Sequence, residues 1–582
     1  MMKNNMVFVP IIKVIKNNVG LDILLILSIV GIIIASLLPP QILRYVIDNN
    51  IVQNTNQGLL KLAIIYMIVL LFIGVFNFLK EAILTILGQR ITKEIRIAMM
   101  EKLESINASY FSSNESGIVV SRFINDVDAI NTLFTSGIVG MVIDLFKVIG
   151  IIFSIWMFSP KLGGITIFLL PIIYFITRTF QKKMLIAQIE NRVLIGKVNN
   201  HITESFKNVQ MIKIYSKEDY MERNYKDTLI ENYQTVEKVN FYDSVFSPII
   251  QLIRAIVIGI IVVLSSKQLD YLGISLGMLA ASIDFISNLF SPIENLGMEL
   301  QSIQQAISGI YRVNEFYCES QDDIKEIDLK SSDIIKNPND IKLTFNEVSF
   351  KYEMGIDILQ DINLEINNDQ NVTFIGRTGV GKSTLFKLII GLLKPSKGSI
   401  RLNGIDVYDI PNTEKRKIFG YVDQSLHFIT GSIGDQISLR DDSITRNEIE
   451  NALEFVGLKE YVESLEAGID TKINDYDLFS HGQKQLLAIA RAIVTNPPIL
   501  LLDEITANLD SITEEKIVAV LKKASDEHTI LSISHRLSSM VASDIVVILE
   551  NGRIKNSGSP EILLQNDNWY RDHMELEKLT WS

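Results

Sequence analysis

Six long apolar stretches constrain the fold of this chain more than any other feature of its sequence. Each has about 20 mostly apolar residues, the length that a helix needs to cross a bilayer. They lie at residues 23–42, 60–79, 137–158, 163–180, 248–265 and 274–296. The first stretch follows several lysines, as a signal peptide does. Its length and the lack of a small-residue cleavage site favour a retained span.

Basic residues crowd the two longest connections between these stretches, for example Arg90, Lys93 and Arg96 after the second and Lys182 and Lys183 after the fourth. Such residues stay on the cytosolic side, so the sequence predicts a plasma-membrane protein with a cytosolic N-terminus and C-terminal half. Both connections keep apolar residues at helical spacing. We therefore predict helical arms that extend below the membrane, reverse near 112–121 and 206–215, and transmit motion from the C-terminal half.

The composition changes from long apolar runs to a mixed polar and apolar pattern at about residue 341. We predict a transmembrane domain at 1–318, a polar linker at 319–340 and a soluble α/β domain at 341–582. The net charge of −12, without a basic stripe, excludes a nucleic-acid partner. The single cysteine, Cys318, has no partner for an intrachain disulfide.

A glycine-rich segment in the soluble half fits the pattern Gly-x-x-x-x-Gly-Lys-Ser/Thr between an apolar run and a helical pattern. This setting predicts a phosphate-binding loop whose backbone N–H groups surround a polyphosphate at a helix N-terminus. Lys382 would bridge the β- and γ-phosphates, and the Ser383 hydroxyl would bind Mg²⁺. The predicted loop residues are Gly376, Arg377, Thr378, Gly379, Val380, Gly381, Lys382, Ser383 and Thr384.

Two further segments of this half predict groups that act on the nucleotide. An apolar run at 499–502 has the character of a buried parallel strand and ends in Asp503 and Glu504. Asp503 would hold Mg²⁺ through water, and Glu504 would polarise the attacking water. His535 follows a second apolar strand and could reach the γ-phosphate, although a lone histidine is more often structural. Ser480, His481, Gly482 and Gln483 precede a helical pattern, whose N-terminus suits an anion.

With these parts in order, the chain resembles the ATP-binding cassette exporters, as a half-transporter of six spans followed by one cassette. The resemblance covers nearly the whole chain and implies ATP and Mg²⁺ as ligands. It identifies Tyr352 as the aromatic residue that stacks on adenine, where the alternative is an ordinary core tyrosine. Gln424 resembles the glutamine that senses Mg²⁺ and contacts the membrane domain. The remaining family positions are Ser480–Gln483 for the signature, residues 507–510 for the loop after the acid pair, His535 for the switch histidine, and Tyr110, Phe111, Gly117, Arg122, Asp126 and Val127 for the first cytosolic loop.

The family arrangement also implies pairing, because each ATP lies between the phosphate loop of one cassette and the signature of another. The usual Leu-Ser-Gly-Gly-Gln is Phe-Ser-His-Gly-Gln here, with His481 where the backbone should approach the γ-phosphate. The preceding segment at 473–478 also lacks the usual Gly-Glu. One altered and one intact site would suit a heterodimer with a second half-transporter, which we favour slightly over a homodimer.

Ionisable residues within the spans leave the cargo open between two interpretations. Asp144 and Lys147 share a helix face, Arg254 lies in the fifth span, and Asp284 and Asn288 lie in the sixth. They would either pair and lock helices together or line a mixed-charge cavity for a peptide, a lipid or an amphiphilic drug. No peptidase segment precedes the first span, so we expect no leader-cleaving role. The alternative to export is a membrane-bound regulatory or sensor ATPase that transports nothing.

Overall fold

The structure is a computed structural model. It describes residues 6–581 apart from 56–57, 115, 268–274, 321–328, 336–340, 353–354, 356, 425–426, 474–478, 506–510 and 535–542. The chain divides into two compact units, one formed by residues 1–104 and 115–319 and the other by residues 105–114 and 320–582. Each unit is described by itself below.

The part of the chain before residue 320 is mainly helical in its described residues. Its helices are α1 (Phe8–Asn17), α2 (Val19–Ser36), α3 (Leu38–Val46), α4 (Leu59–Ser105), α5 (Ala108–Ser113), α6 (Ser116–Ser121), α7 (Val127–Thr132), α8 (Ile138–Phe158), α9 (Pro160–Lys207), α10 (Val209–Ile214), α11 (Glu218–Lys267), α12 (Leu276–Ser287) and α13 (Phe290–Cys318), with π-helical turns at Ile47–Ile51, Arg122–Asp126 and Leu133–Gly137. Six helical segments among the described residues are long and apolar enough to cross a membrane: Val19–Ile51, Leu59–Ser105, Ser116–Phe158, Pro160–Lys207, Glu218–Val263 and Leu276–Cys318. The prediction of six spans is confirmed.

Three of these helices are much longer than a bilayer requires. Helices α4, α9 and α11 contain 47, 48 and 50 residues. At 1.5 Å per residue each extends ~70 Å, against ~30 Å for the hydrocarbon core, so long stretches lie outside it. The reversal between α9 and α11 lies at 208–217, overlaps the predicted 206–215 and contains α10. The first reversal lies at 106–114 among the described residues, earlier than predicted, because the apolar segment α6 already belongs to the next helical stretch.

An ion pair between a buried carboxylate and a half-exposed arginine joins two distant parts of the helical unit. Asp126, only 5% exposed, accepts a 2.9 Å hydrogen bond from Nε of Arg312 in α13. Arg122, one turn earlier, lies 3.3 Å from Glu315 on the same helix. Arg122 and Asp126 are two of the positions that the family resemblance identifies in the first cytosolic loop. Each forms an ion pair with a residue of the sixth helical segment.

The unit that contains the C-terminal half is a layered α/β domain. Its strands are β1 (Lys342–Lys351), β2 (Asp357–Asn367), β3 (Asn371–Gly376), β4 (Lys397–Leu402), β5 (Ile405–Asp406), β6 (Phe419–Val422), β7 (Gly431–Ser432), β8 (Lys472–Ile473), β9 (Ile499–Asp503), β10 (Thr529–Ile533), β11 (Ile545–Glu550) and β12 (Arg553–Gly558). Its helices are α14 (Ser331–Ile334), α15 (Lys382–Ile389), α16 (Asn412–Ile418), α17 (Ile433–Ser438), α18 (Arg446–Phe455), α19 (Lys459–Glu463), α20 (His481–Ile493), α21 (Ser511–Ala524), α22 (Pro560–Asn566) and α23 (Asn568–Trp581). The predicted fold class, a helical membrane domain followed by an α/β nucleotide-binding domain, is confirmed.

The main sheet has the strand order β12-β11-β3-β10-β9-β6, and all its pairings are parallel except that of β11 with β12. All five residues of β9 are buried, as are five of the six in β3. Such continuous apolar runs suit strands covered on both faces. Because β3, β9 and β10 are parallel, the segments that follow them emerge at the same edge of the sheet. A separate antiparallel sheet has the order β2-β1-β4-β5.

Candidate functional site

The predicted phosphate-binding loop connects β3 to the N-terminus of α15. Its three glycines all have a positive φ, which favours glycine: 151° at Gly376, 85° at Gly379 and 105° at Gly381. A Cβ atom at Gly376 would collide with the Leu549 carbonyl of β11, and one at Gly381 would lie 2.9 Å from the Leu359 side chain. The two glycines therefore allow the loop to curve tightly between β3 and its neighbours.

Lys382 begins α15, and its side chain folds back onto the loop. Its Nζ donates to the carbonyl oxygens of Gly376 at 2.7 Å and Arg377 at 3.3 Å. The residue is only 6% exposed, and burial lowers the pKa of its ammonium group, an effect that the nearby Glu504 and Asp503 carboxylates oppose. A bound phosphate would offer this buried cation stronger acceptors than the two carbonyls.

Asp503, at the end of β9, has the properties of a metal ligand. It is 2% exposed, and Ser383 donates a hydrogen bond to its carboxylate. Burial raises the pKa of the Asp503 carboxyl, and this hydrogen bond opposes the rise. The Oδ1 atom is buried and has no hydrogen-bond partner in the described part of the chain. A hydroxyl beside an unpaired carboxylate oxygen fits Mg²⁺, which prefers oxygen ligands and keeps several waters.

The predicted general base and the predicted Mg²⁺-sensing glutamine are in contact. Nε2 of Gln424 donates a 2.7 Å hydrogen bond to Oε2 of Glu504. Glu504 has φ 48°, in the left-handed region that non-glycine residues rarely adopt, and its N–H donates to the Ile533 carbonyl of β10 at 3.0 Å. The end of β10 thus fixes the backbone turn that aims the Glu504 side chain toward Gln424.

Tyr352 lies beside the loop. Its hydroxyl is 3.4 Å from Oγ1 of Thr384, and its ring packs edge-on against Phe350 with centroids 4.9 Å apart. The ring is partly buried and also contacts the core of the domain. Both interpretations of Tyr352, as an adenine-stacking residue and as a core residue, remain compatible with this position.

The signature segment caps helix α20, and in the described part of the chain Ser480 and Gln483 make no hydrogen bond to residues 376–384. Ser480 Oγ accepts from the Gln483 N–H at 3.2 Å, and Gln483 Oε1 accepts from the Ser480 N–H at 2.9 Å. This reciprocal arrangement is a capping box. His481 is exposed at the first position of the helix, whereas Gly482 is buried against Thr513.

Several predicted residues lie outside the described part of the chain. His535, the segment 507–510 and residues 474–478 belong to this group. Their roles remain predictions.

Sequence reasoning missed Arg491, which contacts His427, Phe428 and Gln436. The side chain donates to the carbonyl oxygens of Gln436 at 2.6 Å and His427 at 2.9 Å, and it lies over the Phe428 ring. Arg491 belongs to α20, so it connects the signature helix to the segment that follows Gln424. Its only signal in the sequence was a basic residue in an otherwise apolar part of α20.

Two protein-family models match the chain. The model of the ABC transporter transmembrane region matches residues 23–293, and the ABC transporter model matches residues 359–507. The lactococcin-A transport/processing ATP-binding protein LcnC of Lactococcus lactis subsp. lactis is 30% identical over 578 residues, which cover 97% of this chain and 77% of LcnC. The uncharacterized ABC transporter ATP-binding protein YknV of Bacillus subtilis (strain 168) is 26% identical, covering 93% of this chain and 89% of YknV.

One solved structure with the same fold is that of a bacterial Atm1-family ABC exporter with ATP bound. The match has a TM-score of 0.78 at 22% sequence identity and covers 97% of this chain and 98% of the exporter chain. The similarity in structure therefore extends over both halves of the chain.

Proposed function

The chain belongs to the ABC transporter family, and on that premise we propose that it is one subunit of an ATP-driven exporter. Binding and hydrolysis of ATP would drive the outward movement of a peptide, a lipid or an amphiphilic drug. The observation that carries this proposal is the contact between Gln424 and Glu504 beside Asp503 and the phosphate loop. A glutamate held there by a strained backbone suits hydrolysis better than binding alone.

Each residue of this site has a task in the proposed hydrolysis. The loop N–H groups and Lys382 would hold the phosphates, while Ser383, Gln424 and Asp503 would hold Mg²⁺. The metal supplies charge neutralisation on the phosphate oxygens. Glu504 would orient the attacking water and draw its proton away, and His535 would contact the γ-phosphate. When the attacking water is bound, Nε2 of Gln424 would donate to that water instead of Glu504, and Oε1 of the same amide would be the atom that holds Mg²⁺.

We propose that the chain works as a dimer. Within the described residues, the Ser480 and Gln483 side chains bond to each other's backbone, and none of their recorded hydrogen bonds reaches the phosphate loop. A signature from a second cassette would close the ATP site, as in the family arrangement. The exposed His481 in this segment supports a heterodimer over a homodimer.

Transport assays with a hydrolysis-deficient variant test the proposal. The chain, with a co-expressed second half-transporter, would be reconstituted in inside-out vesicles with a labelled peptide, a fluorescent phospholipid and a cationic dye. We expect ATP-dependent movement of at least one probe. Glu504→Gln should abolish it and lower ATP turnover by about 100-fold or more while ATP binding persists.

Glu561→Gln, on helix α22, is the matched control and should behave like the unaltered protein. Normal turnover in Glu504→Gln would remove Glu504 from its role. Robust ATPase activity without movement of any probe would instead favour the regulatory or sensor ATPase.

A further inference from the structure

A cavity in the membrane unit indicates the chemistry of the cargo more specifically than the ionisable residues within the predicted spans do by themselves. Its volume is about 500 Å³, which lies within the range of small-ligand pockets. Helix α4, residues 131–147 and helix α13 form its wall. Leu84, Val139 and Ile143 give the wall an apolar part, and Asn131, Asp144 and Glu299 give it a polar part.

The cavity lies at the cytosolic ends of three spans. Its lining residues on α4 follow the second predicted span, those at 131–147 begin the third, and those on α13 end the sixth. The positive-inside orientation puts these three ends at the cytosolic face. A molecule entering from the cytosol or the inner leaflet reaches this level first, so the cavity lies on the loading side of an exporter.

Three polar residues of the cavity wall, Asn131, Asp144 and Glu299, carry acceptor oxygens without a hydrogen-bond donor among the described residues. Asp144 is 6% exposed and makes no recorded hydrogen bond or ion pair within the described residues. Glu299 Oε2 and Asn131 Oδ1 are buried and likewise have no hydrogen-bond partner there. Asp144 and Glu299 are close enough to repel each other. Unpaired buried acceptors are costly, and in membranes such groups mark sites that bind cations.

The cations in the wall do not neutralise these acceptors. Lys80 lies 2.8 Å from its neighbour Glu81. Among the described residues Lys147 lines the same cavity as Asp144 but forms no ion pair with it, so the structure does not show these two residues locked together. The formal net charge of the cavity wall is −1, because it contains two lysines, Lys80 and Lys147, and three acidic residues, Glu81, Asp144 and Glu299.

Gly140 explains how the Glu299 carboxylate fits against α8. An added Cβ atom at Gly140 would collide with Glu299 Oε1. Gly140 also lies one turn before Asp144, so the absence of a side chain there brings the two carboxylates to the same part of the wall. A substitution at Gly140 offers a way to move Glu299 without altering its charge.

We propose that this cavity binds the ammonium group of an amphiphilic amine between Asp144 and Glu299. Asn131 accepts a further hydrogen bond, and Leu84, Val139 and Ile143 contact the apolar part of the ligand. The volume is far larger than an inorganic ion requires, which favours an organic cation. The proposal rests on the exporter function, for which it names the substrate class.

A matched set of fluorescent probes tests the site without nucleotide. Dansylcadaverine carries a primary ammonium, its N-acetyl derivative is neutral, and N-dansyl-6-aminohexanoate is anionic. Each would be titrated into the protein in lipid nanodiscs, with its co-expressed partner. We expect the amine to bind at least about 10-fold tighter than the other two, since a hydrogen bond to a charged group is worth ~1.5–3 kcal/mol.

Asp144→Asn and Glu299→Gln should each reduce amine affinity about 10-fold and leave the neutral probe unaffected. Asp284→Asn, an intramembrane carboxylate bonded to Asn288 at 3.3 Å and outside this cavity, is the matched control and should retain the preference. If Asp144→Asn does not fold, Glu299→Gln and Gly140→Ala provide the test. Unfolding and elution profiles would establish that each variant is folded.

Equal binding of the three probes, or an amine preference that survives in both carboxylate variants, would overturn the proposal. Amine binding without ATP-driven movement would support this binding site and contradict the exporter function. ATP-driven export of a peptide or lipid without any amine preference would support export and reject this site.

Discussion

At the scale of single residues, the proposed nucleotide site contains two buried charged groups, Lys382 and Asp503. Lys382 is held by two loop carbonyls, and Asp503 has a buried oxygen without a hydrogen-bond donor in the described residues. Burial lowers the pKa of Lys382 and raises the pKa of Asp503, so it favours the neutral form of each side chain. Bound phosphate would contact Lys382, and bound Mg²⁺ would contact Asp503. Replacing either residue should therefore weaken ligand binding without a matching loss of stability.

Lys382→Ala should weaken ATP binding by about 10- to 100-fold, since a hydrogen bond to a charged group is worth ~1.5–3 kcal/mol. Calorimetry or a fluorescent nucleotide would measure the affinity. Lys387→Ala, on the same helix, serves as the control and should bind normally. Unchanged nucleotide affinity in Lys382→Ala would contradict the assignment of the phosphate loop.

Asp503→Asn should stabilise the nucleotide-free protein near neutral pH while removing its response to Mg²⁺. Because the folded-state pKa of Asp503 is raised, the folded protein binds the proton more tightly than the unfolded chain. The charged carboxylate therefore costs stability as pH rises above the unfolded-state value of ~3.9, and the advantage of the variant should shrink as pH falls.

Thermal unfolding at several pH values, with and without MgATP, would measure both effects. Asp526→Asn, an exposed aspartate of the same unit, is the control. A variant that is less stable than the unaltered protein without nucleotide, or that keeps its full response to Mg²⁺, would contradict this account.

At the scale of elements, the position of the signature helix α20 depends on close packing at its first turn. The capping box of Ser480 and Gln483 satisfies the first N–H groups, and Gly482 faces Thr513 of α21 without space for a methyl group. The two helices can approach only because residue 482 has no side chain.

Gly482→Ala should destabilise the domain by ~1–3 kcal/mol, the usual cost of overpacking. Thr513→Ala should restore most of this loss in the double variant, because it removes the methyl group that the new side chain would meet. Thermal unfolding would measure both. Gly558→Ala is the control, since its nearest contact would lie at an ordinary 3.8 Å. Equal stability of Gly482→Ala and the unaltered protein would exclude this packing.

At the scale of the whole molecule, one chain carries a phosphate loop and a signature that are proposed to serve different ATP sites. If the partner is a second half-transporter, His481 contributes to a site whose other groups come from that partner. Two copies of this chain would instead place His481 in both sites.

His481→Gly should therefore barely change ATP turnover in a heterodimer, whereas in a homodimer it should raise turnover by restoring the backbone approach to both nucleotides. We expect the chain purified alone to be poorly active or aggregated and to be rescued by a co-expressed second half-transporter. Its mass in nanodiscs and its ATPase activity, with and without the substitution, would measure this. A stable, active dimer of this chain alone would contradict the heterodimer.

The sequence by itself determined the six spans, the long helical arms, the phosphate loop and the family. These features are local, because a bilayer crossing requires a run of apolar residues and a phosphate loop requires glycines at fixed spacing. The predicted position of the first reversal, 112–121, was less accurate. An apolar segment after a reversal and one before it have the same composition, so the sequence could not assign α6 to its helix.

Only the tertiary structure decided which distant side chains meet. Gln424 and Glu504 are 80 residues apart and Asp126 and Arg312 are 186 apart, so no spacing in the sequence relates them. Asp144 and Lys147 share a helix face, yet the packing of α4 and α13 around them formed a cavity instead of an ion pair. Local periodicity determines which face a residue occupies, whereas the neighbouring elements determine what that face contacts.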